Sequence, residues 1–169
     1  GQLLAEEVAK FRFERPVVLA LPRGGVPVAL EVARLLKAPL DLLLVRKIGV
    51  PWQPELAAAA VVDGERRDLV FNDEVMSTLG LERYEIEKAA AKEIAEIDRR
   101  RNLYLKGRKP VSVMGRTAII VDDGIATGTT VKAALLALKK RSPKRLVLAV
   151  PVAPADTINC CAPSPWASD

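Results

Sequence analysis

Apolar runs alternate along this chain with segments of helical period, an order that predicts an α/β domain with a parallel sheet. Gln2 to Lys10 reads as a short amphipathic helix, and Pro16 to Leu21 (PVVLAL) as a short buried strand stopped by Pro22. Gly24-Gly25 makes a turn into a helix over Val26 to Leu36, and Pro39 to Val45 (PLDLLLV) reads as the next strand. Gly49, Pro51 and Pro54 predict a loop over the first part of Arg46 to Leu56. Ala57 to Val62 and Asp68 to Phe71, joined across Asp63-Gly64-Glu65, predict a β-hairpin, and Asn72 or Asp73 can cap a short helix after it.

A long helix is predicted from about Leu81 to Leu105. Ile86, Ala90, Ile94 and Ile97 give it one apolar face, and Gly107 and Pro110 end it. Thr117 to Val121 (TAIIV) reads as a buried strand, Thr129 to Lys140 as a helix and Arg145 to Val150 as the last clear strand. Pro151 to Asp169 has no periodicity. The expected organisation is one domain over residues 1–152 and an irregular tail over 153–169.

Composition narrows the chemistry. The 169 residues contain no histidine, which removes Ser-His-Asp triads and most zinc or iron sites. The two cysteines are neighbours, Cys160 and Cys161; they make no metal knuckle, carry no assigned role, and fit a reducing, cytoplasmic setting. No run reaches the roughly 18 apolar residues of a membrane helix. The net charge of +5 is local: Arg99, Arg100, Arg101, Lys106, Arg108 and Lys109 fall in one acid-free stretch, and elsewhere acids outnumber bases by one. Cations at a helix end suit its dipole, so these are expected to be solvated surface charges; a patch for RNA or an anionic partner is the weaker alternative.

The informative stretch is Ile119-Ile120-Val121-Asp122-Asp123-Gly124-Ile125-Ala126-Thr127-Gly128-Thr129-Thr130. A buried strand delivers two consecutive carboxylates at its C-terminal end, where ligands of open parallel sheets bind. Backbone N–H groups from Gly124 to Gly128, the hydroxyls of Thr127, Thr129 and Thr130, and the following helix N-terminus together make a phosphate cradle. Thr129 stands where a Walker A loop needs lysine, so a phosphate monoester is expected. Adjacent carboxylates suit the vicinal diol of a ribose 5-phosphate.

These residues resemble the phosphoribosyl-pyrophosphate (PRPP) signature of type I phosphoribosyltransferases, with a likeness running from about Pro16 to Val152. The chain is most similar to bacterial phosphoribosyltransferases of unassigned substrate. The resemblance implies a parallel sheet flanked by helices, a small β-hairpin and an incomplete or altered hood. It also implies transfer of a 5-phosphoribosyl group from PRPP to a nitrogenous small-molecule acceptor, with release of pyrophosphate. Asp122 and Asp123 would hold the ribose hydroxyls and act with Lys47 as the catalytic set, while Gly124 and Ala126 to Thr130 would hold the 5-phosphate. Arg23, Gly24 and Gly25 match the family's pyrophosphate loop. Arg46 and Lys47 resemble the Arg-Lys pair opening the active-site loop of adenine and orotate enzymes, and would reach PRPP. Mg²⁺ would be the cofactor, held through pyrophosphate with Asp122 or Asp123 as its nearest protein groups and no dedicated metal site.

The chain departs from its relatives in three places. Val50 stands where a second loop lysine is found, Ala126 replaces the Asp of the 6-oxopurine enzymes, and Ala155 to Asp169 matches nothing in the family. A non-catalytic PRPP- or nucleotide-sensing regulator, contacting RNA through Arg99 to Lys109, is the alternative from another class. A homodimer is left open, and no membrane partner is expected.

Overall fold

The computed structural model describes residues 1–126 and 128–153. The elements follow the chain as α1 (Gln2–Ala9), β1 (Pro16–Ala20), α2 (Gly25–Leu36), β2 (Leu40–Leu42), β3 (Val45–Val50) and β4 (Gln53–Val62). After these come β5 (Asp68–Phe71), α3 (Asp73–Leu79), α4 (Arg83–Leu105), β6 (Thr117–Val121), α5 (Thr129–Lys139) and β7 (Arg145–Ala149). Strands β2-β1-β6-β7 form a parallel sheet in that spatial order. Strands β3-β4-β5 form a second, antiparallel sheet. The α/β class read from the alternating pattern is therefore the observed one.

Alternate residues of the central strands serve two faces, as the period of a strand requires. Val18, Ala20, Ile119 and Val121 pack under α1 and α2 with Val32 and Ala29. Val17, Leu19, Ala118 and Ile120 face α5 and the inner side of the second sheet, through Val131, Ala134, Leu138, Ala60 and Val62. The outer side of the second sheet meets α4 through Ile48, Val50, Val61, Ile86, Ala90 and Ile97. Reciprocal hydrogen bonds between Glu82 and Glu85 form a capping box that starts α4, two residues inside the expected boundary.

Two expectations change between Pro39 and Leu56. The strand expected over Pro39 to Val45 ends at Leu42, because the chain leaves one sheet for the other there. Leu43 N–H bonds the carbonyl of Ala20 in the first sheet, and the Leu44 carbonyl accepts from Asp63 N–H in the second. Adjacent leucines thus anchor in different cores. The expected loop after Arg46 is instead a β-ribbon, so the second sheet has three strands rather than the two of a hairpin. Val50 pairs with Gln53, which confines Pro51 and Trp52 to the turn. Gly49 sits at a register shift where a Cβ would overlap the Pro54 carbonyl, so this glycine permits the ribbon instead of breaking it.

The stretch Arg99 to Arg101 is not a uniform surface patch. Arg99 and Arg100 pair with Glu96 on the same helix, and Glu96 is held down at about 2 by hydrogen bonds from Arg99 and Arg100. Arg101 turns inward, with its side chain only 15% exposed. Its Nη1 donates to Asp63 Oδ2 at 2.6 Å, and its Nη2 stands 3.9 Å from Asp41 Oδ2 with no hydrogen-bond partner. Asp41 and Asp63 are each 3% exposed. Arg141 is a second buried cation: it donates to Asp68 Oδ2 at 2.9 Å and to the carbonyls of Asp63 and Arg66. Gly64, at φ +141°, leaves the space that Arg141 fills.

Candidate active site

Strand order alone creates a crevice. From β1 the chain moves outward to β2, while from β6 it moves the opposite way to β7, so β1 and β6 are adjacent with diverging connections. Helices α2 and α5 leave these strands on opposite faces. Open α/β sheets bind ligands at such a switch point, beyond the C-terminal strand ends. The loop after β1 is Leu21-Pro22-Arg23-Gly24, and the loop after β6 is Asp122 to Gly128. Two sequence-distant candidate segments therefore meet.

Glycine makes the meeting close. A Cβ on Gly25 would lie 2.6 Å from the Val121 carbonyl oxygen and 3.0 Å from the Asp122 Cα. One on Gly24 would overlap the Asp123 carboxylate. The Leu21 N–H bonds the Val121 carbonyl at 2.9 Å, and the Pro22–Arg23 peptide is cis. The Arg23 side chain is exposed and makes no ion pair or hydrogen bond among the described residues.

Below this loop the Asp123 N–H donates to Asp122 Oδ1 at 2.9 Å. Asp122 is half-buried and Asp123 exposed. Ile125 is buried and donates its N–H to the Val152 carbonyl at 3.0 Å, which pins the middle of the loop. Gly128 caps α5 with φ +74°, a left-handed conformation that glycine adopts at no steric cost. Thr129 and Thr130 begin the helix, so their N–H groups and the helix dipole face the loop. Ala126 is exposed, and Thr127 lies outside the described residues.

The Arg46-Lys47 pair is split by the pleat. Arg46 faces α4, where its Nε donates to Glu93 at 2.7 Å. This ion pair ties β3 to α4. Lys47 stands opposite Ala60, on the face whose neighbours Val45 and Val62 join the inner core, and it is exposed without an ion-pair partner among the described residues. Sequence reasoning missed the pairings of Asp41, Asp63, Arg101 and Arg141, because the partners lie far apart along the chain. Among the described residues no group of three or more His, Cys, Asp or Glu could hold a metal, and no helix is long and apolar enough to cross a membrane. The expected tail and its cysteines lie outside the described residues from position 154 onward.

Burial pushes the Asp122 carboxyl up to about 6; the Asp123 N–H opposes this shift and the Asp123 carboxyl adds to it. The folded state therefore holds a proton that the unfolded chain releases near the ordinary value of 3.8. Stability should fall as pH rises between about 4 and about 6, and this contribution should level off above that. Asp122→Asn, which mimics the protonated acid, should melt like wild type near pH 3.5 and above it near pH 7. Parallel melting curves for the two proteins across that range would contradict the shift.

Comparisons with known proteins identify the family and the fold. The phosphoribosyl transferase domain family matches residues 1–159. Two Mycobacterium tuberculosis proteins (strains CDC 1551 and H37Rv), which carry provisional phosphoribosyl transferase names, are each 46% identical over 158 residues, or 94% of this chain. The chain spans only about a third (35%) of their length. The crystal structure of TT1426 from Thermus thermophilus superposes with a TM-score of 0.81 at 41% identity, covering 94% of this chain and 74% of that one. A hypoxanthine phosphoribosyltransferase from Staphylococcus aureus shares the fold at a TM-score of 0.53 and 11% identity, over 92% of this chain and 62% of that one. The chain belongs to the phosphoribosyl transferase domain family.

Proposed function

We propose that this chain moves a 5-phosphoribosyl group from PRPP to a nitrogenous small-molecule acceptor and releases pyrophosphate. The observation that carries the reading is the seating of Gly24 and Gly25 directly on Asp122 and Asp123. It brings a candidate pyrophosphate loop and a candidate ribose site within one ligand's length. In this reading Asp122 and Asp123 accept the ribose hydroxyls. The N–H groups and hydroxyls from Ala126 to Thr130 hold the 5-phosphate at the start of α5. Arg23 and the Gly24-Gly25 backbone hold pyrophosphate, and Lys47 approaches from the second sheet. Arg46 is left out, because Glu93 occupies it.

The bond from C1 of the ribose to the pyrophosphate oxygen breaks as the acceptor nitrogen bonds to C1. The acceptor's proton leaves to solvent, and positive charge gathers at the ring in between. No covalent enzyme nucleophile is needed, in keeping with a chain that lacks histidine. The protein's contribution is positioning and electrostatics. Two adjacent carboxylates, one exposed and one half-buried, fit Mg²⁺ bound mainly through substrate oxygens and water, with Asp122 and Asp123 as its protein neighbours. Bound Mg²⁺ would offset the charge of the departing pyrophosphate.

The regulator alternative rested on a basic patch that is now smaller. Glu96 occupies Arg99 and Arg100, Arg101 is inward, and Arg108 donates to the Leu40 carbonyl. Calorimetry with PRPP and Mg²⁺ tests the reading. Asp123→Asn loses a charge-assisted hydrogen bond worth about 1.5–3 kcal/mol, so affinity should fall roughly ten- to a hundred-and-fifty-fold. Unchanged affinity would remove Asp123 from the site. Pyrophosphate release across a panel of free bases then identifies the acceptor.

A further inference from the structure

A groove of about 650 Å³ runs beside the Arg23 loop, over the edge strand β2 and against the last turn of α4. Its walls include Val26, Leu42, Leu103 and Tyr104, and its two cations are Arg23 and Arg108. We propose that this groove is a second ligand site, for a planar aromatic anion of about mononucleotide size. The volume falls within the range of small-molecule pockets.

The charge facing the groove has one sign. Asp41 is its single acidic wall residue, and that carboxylate is buried, with Oδ1 taken by the Leu42 N–H and Oδ2 by the Val111 N–H. Arg108 spends Nη2 on the Leu40 carbonyl, and the Arg23 guanidinium spends nothing among the described residues. Guanidinium groups pair in a planar, two-pronged manner with carboxylate, sulfonate or phosphate. The apolar walls, with a half-exposed tyrosine ring among them, favour a flat ring over a sugar or a bare anion.

Arg23 belongs to both places. On the reading of the Arg23 loop as the pyrophosphate site, an occupant of the groove draws the same guanidinium away from pyrophosphate. The two ligands then oppose each other across one loop. The existence of the groove site does not depend on that reading.

The test uses 8-anilinonaphthalene-1-sulfonate, followed by its fluorescence, and its neutral relative N-phenyl-1-naphthylamine. The sulfonate should bind saturably at one site per chain, and the neutral probe at least about tenfold more weakly. Leu103 is 60% exposed, so Leu103→Glu should melt as wild type does and keep its PRPP affinity while binding the sulfonate at least about tenfold more weakly. Pyrophosphate should weaken sulfonate binding several-fold in wild type. The proposal is overturned if the sulfonate does not saturate, if the neutral probe binds equally, or if Leu103→Glu binds as wild type does. A dimer by light scattering whose groove takes up no probe also overturns it, giving the face to a second copy. Pyrophosphate without effect overturns the sharing of Arg23. A chain that binds the sulfonate at the groove but shows no PRPP binding would refute the transferase reading and leave this one standing.

Discussion

Arg101→Ala should lower the melting temperature by roughly 6–20 °C. Removing one partner of a buried ion pair costs about 3–5 kcal/mol. For a chain of this size each kcal/mol moves the midpoint by about 2–4 °C. The substitution leaves Asp63 without its 2.6 Å partner and removes the cation that stands 3.9 Å from Asp41, and both carboxylates are almost wholly buried. Arg101 also joins three elements: its helix α4, the end of β4 at Asp63, and strand β2 at Asp41 in the other sheet. Arg99→Gln with Arg100→Gln should change the midpoint far less, because they pair only with Glu96 on their own helix and Arg99 is largely exposed. Adding Asp63→Asn to Arg101→Met should recover part of the loss, since it removes the stranded charge as well. If Arg101→Ala melts with wild type, the cluster is not what clasps the sheets.

The contrast between Arg99 and Arg101 shows where sequence reading stops. A run of three arginines at a helix end gives each the same local context, and only the turn of the helix decides which one points inward. Arg101 lies four residues beyond the buried Ile97, on the same face, so the signal was present in the spacing. What was absent was its partner, because Asp41 and Asp63 come from segments about 60 and 38 residues away, and a pairing over that distance has no periodicity. Arg141 is the same case, reaching back 73 residues to Asp68.

The parallel sheet was legible for the opposite reason. Val17 to Ala20 and Ala118 to Val121 are buried on both faces, so they appear as unbroken apolar runs whatever their neighbours are. The ribbon β3–β4 was not, because Gly49, Pro51 and Pro54 each normally interrupt a strand. One proline here occupies a two-residue turn, and the glycine accommodates a carbonyl at a register shift. The ribbon puts Arg46 and Lys47 on opposite faces of the second sheet, so misreading it as a loop also hid that the two cations point different ways. Both motifs of the candidate site could be read as separate segments. Their contact could not, since it depends on β1 and β6 being neighbours in space.

That contact predicts two neighbouring glycine substitutions with different outcomes. In Gly25→Ala the new Cβ meets the Val121 carbonyl oxygen at 2.6 Å and the Asp122 Cα at 3.0 Å. These are main-chain atoms at the end of a fully buried strand, and they have nowhere to retreat. The loop has to lift from the β6 end, at a cost of about 1–3 kcal/mol for overpacking, which is roughly 2–12 °C in the midpoint. Lifting also separates Arg23 from the carboxylates, so PRPP affinity should drop at least about tenfold through lost geometry. In Gly24→Ala the atoms nearest the new Cβ are those of the Asp123 carboxylate, a side chain that is exposed and can rotate away. Stability should then change little. Yet Asp123 would be turned from the position in which it accepts a ribose hydroxyl, and PRPP affinity should again drop about tenfold or more. Melting curves and PRPP calorimetry on both variants separate the two effects. If Gly24→Ala binds PRPP as wild type does, the orientation of Asp123 seen here is not the one that binds ribose. If Gly25→Ala loses neither stability nor affinity, the two loops are not held against each other by the absence of that methyl group.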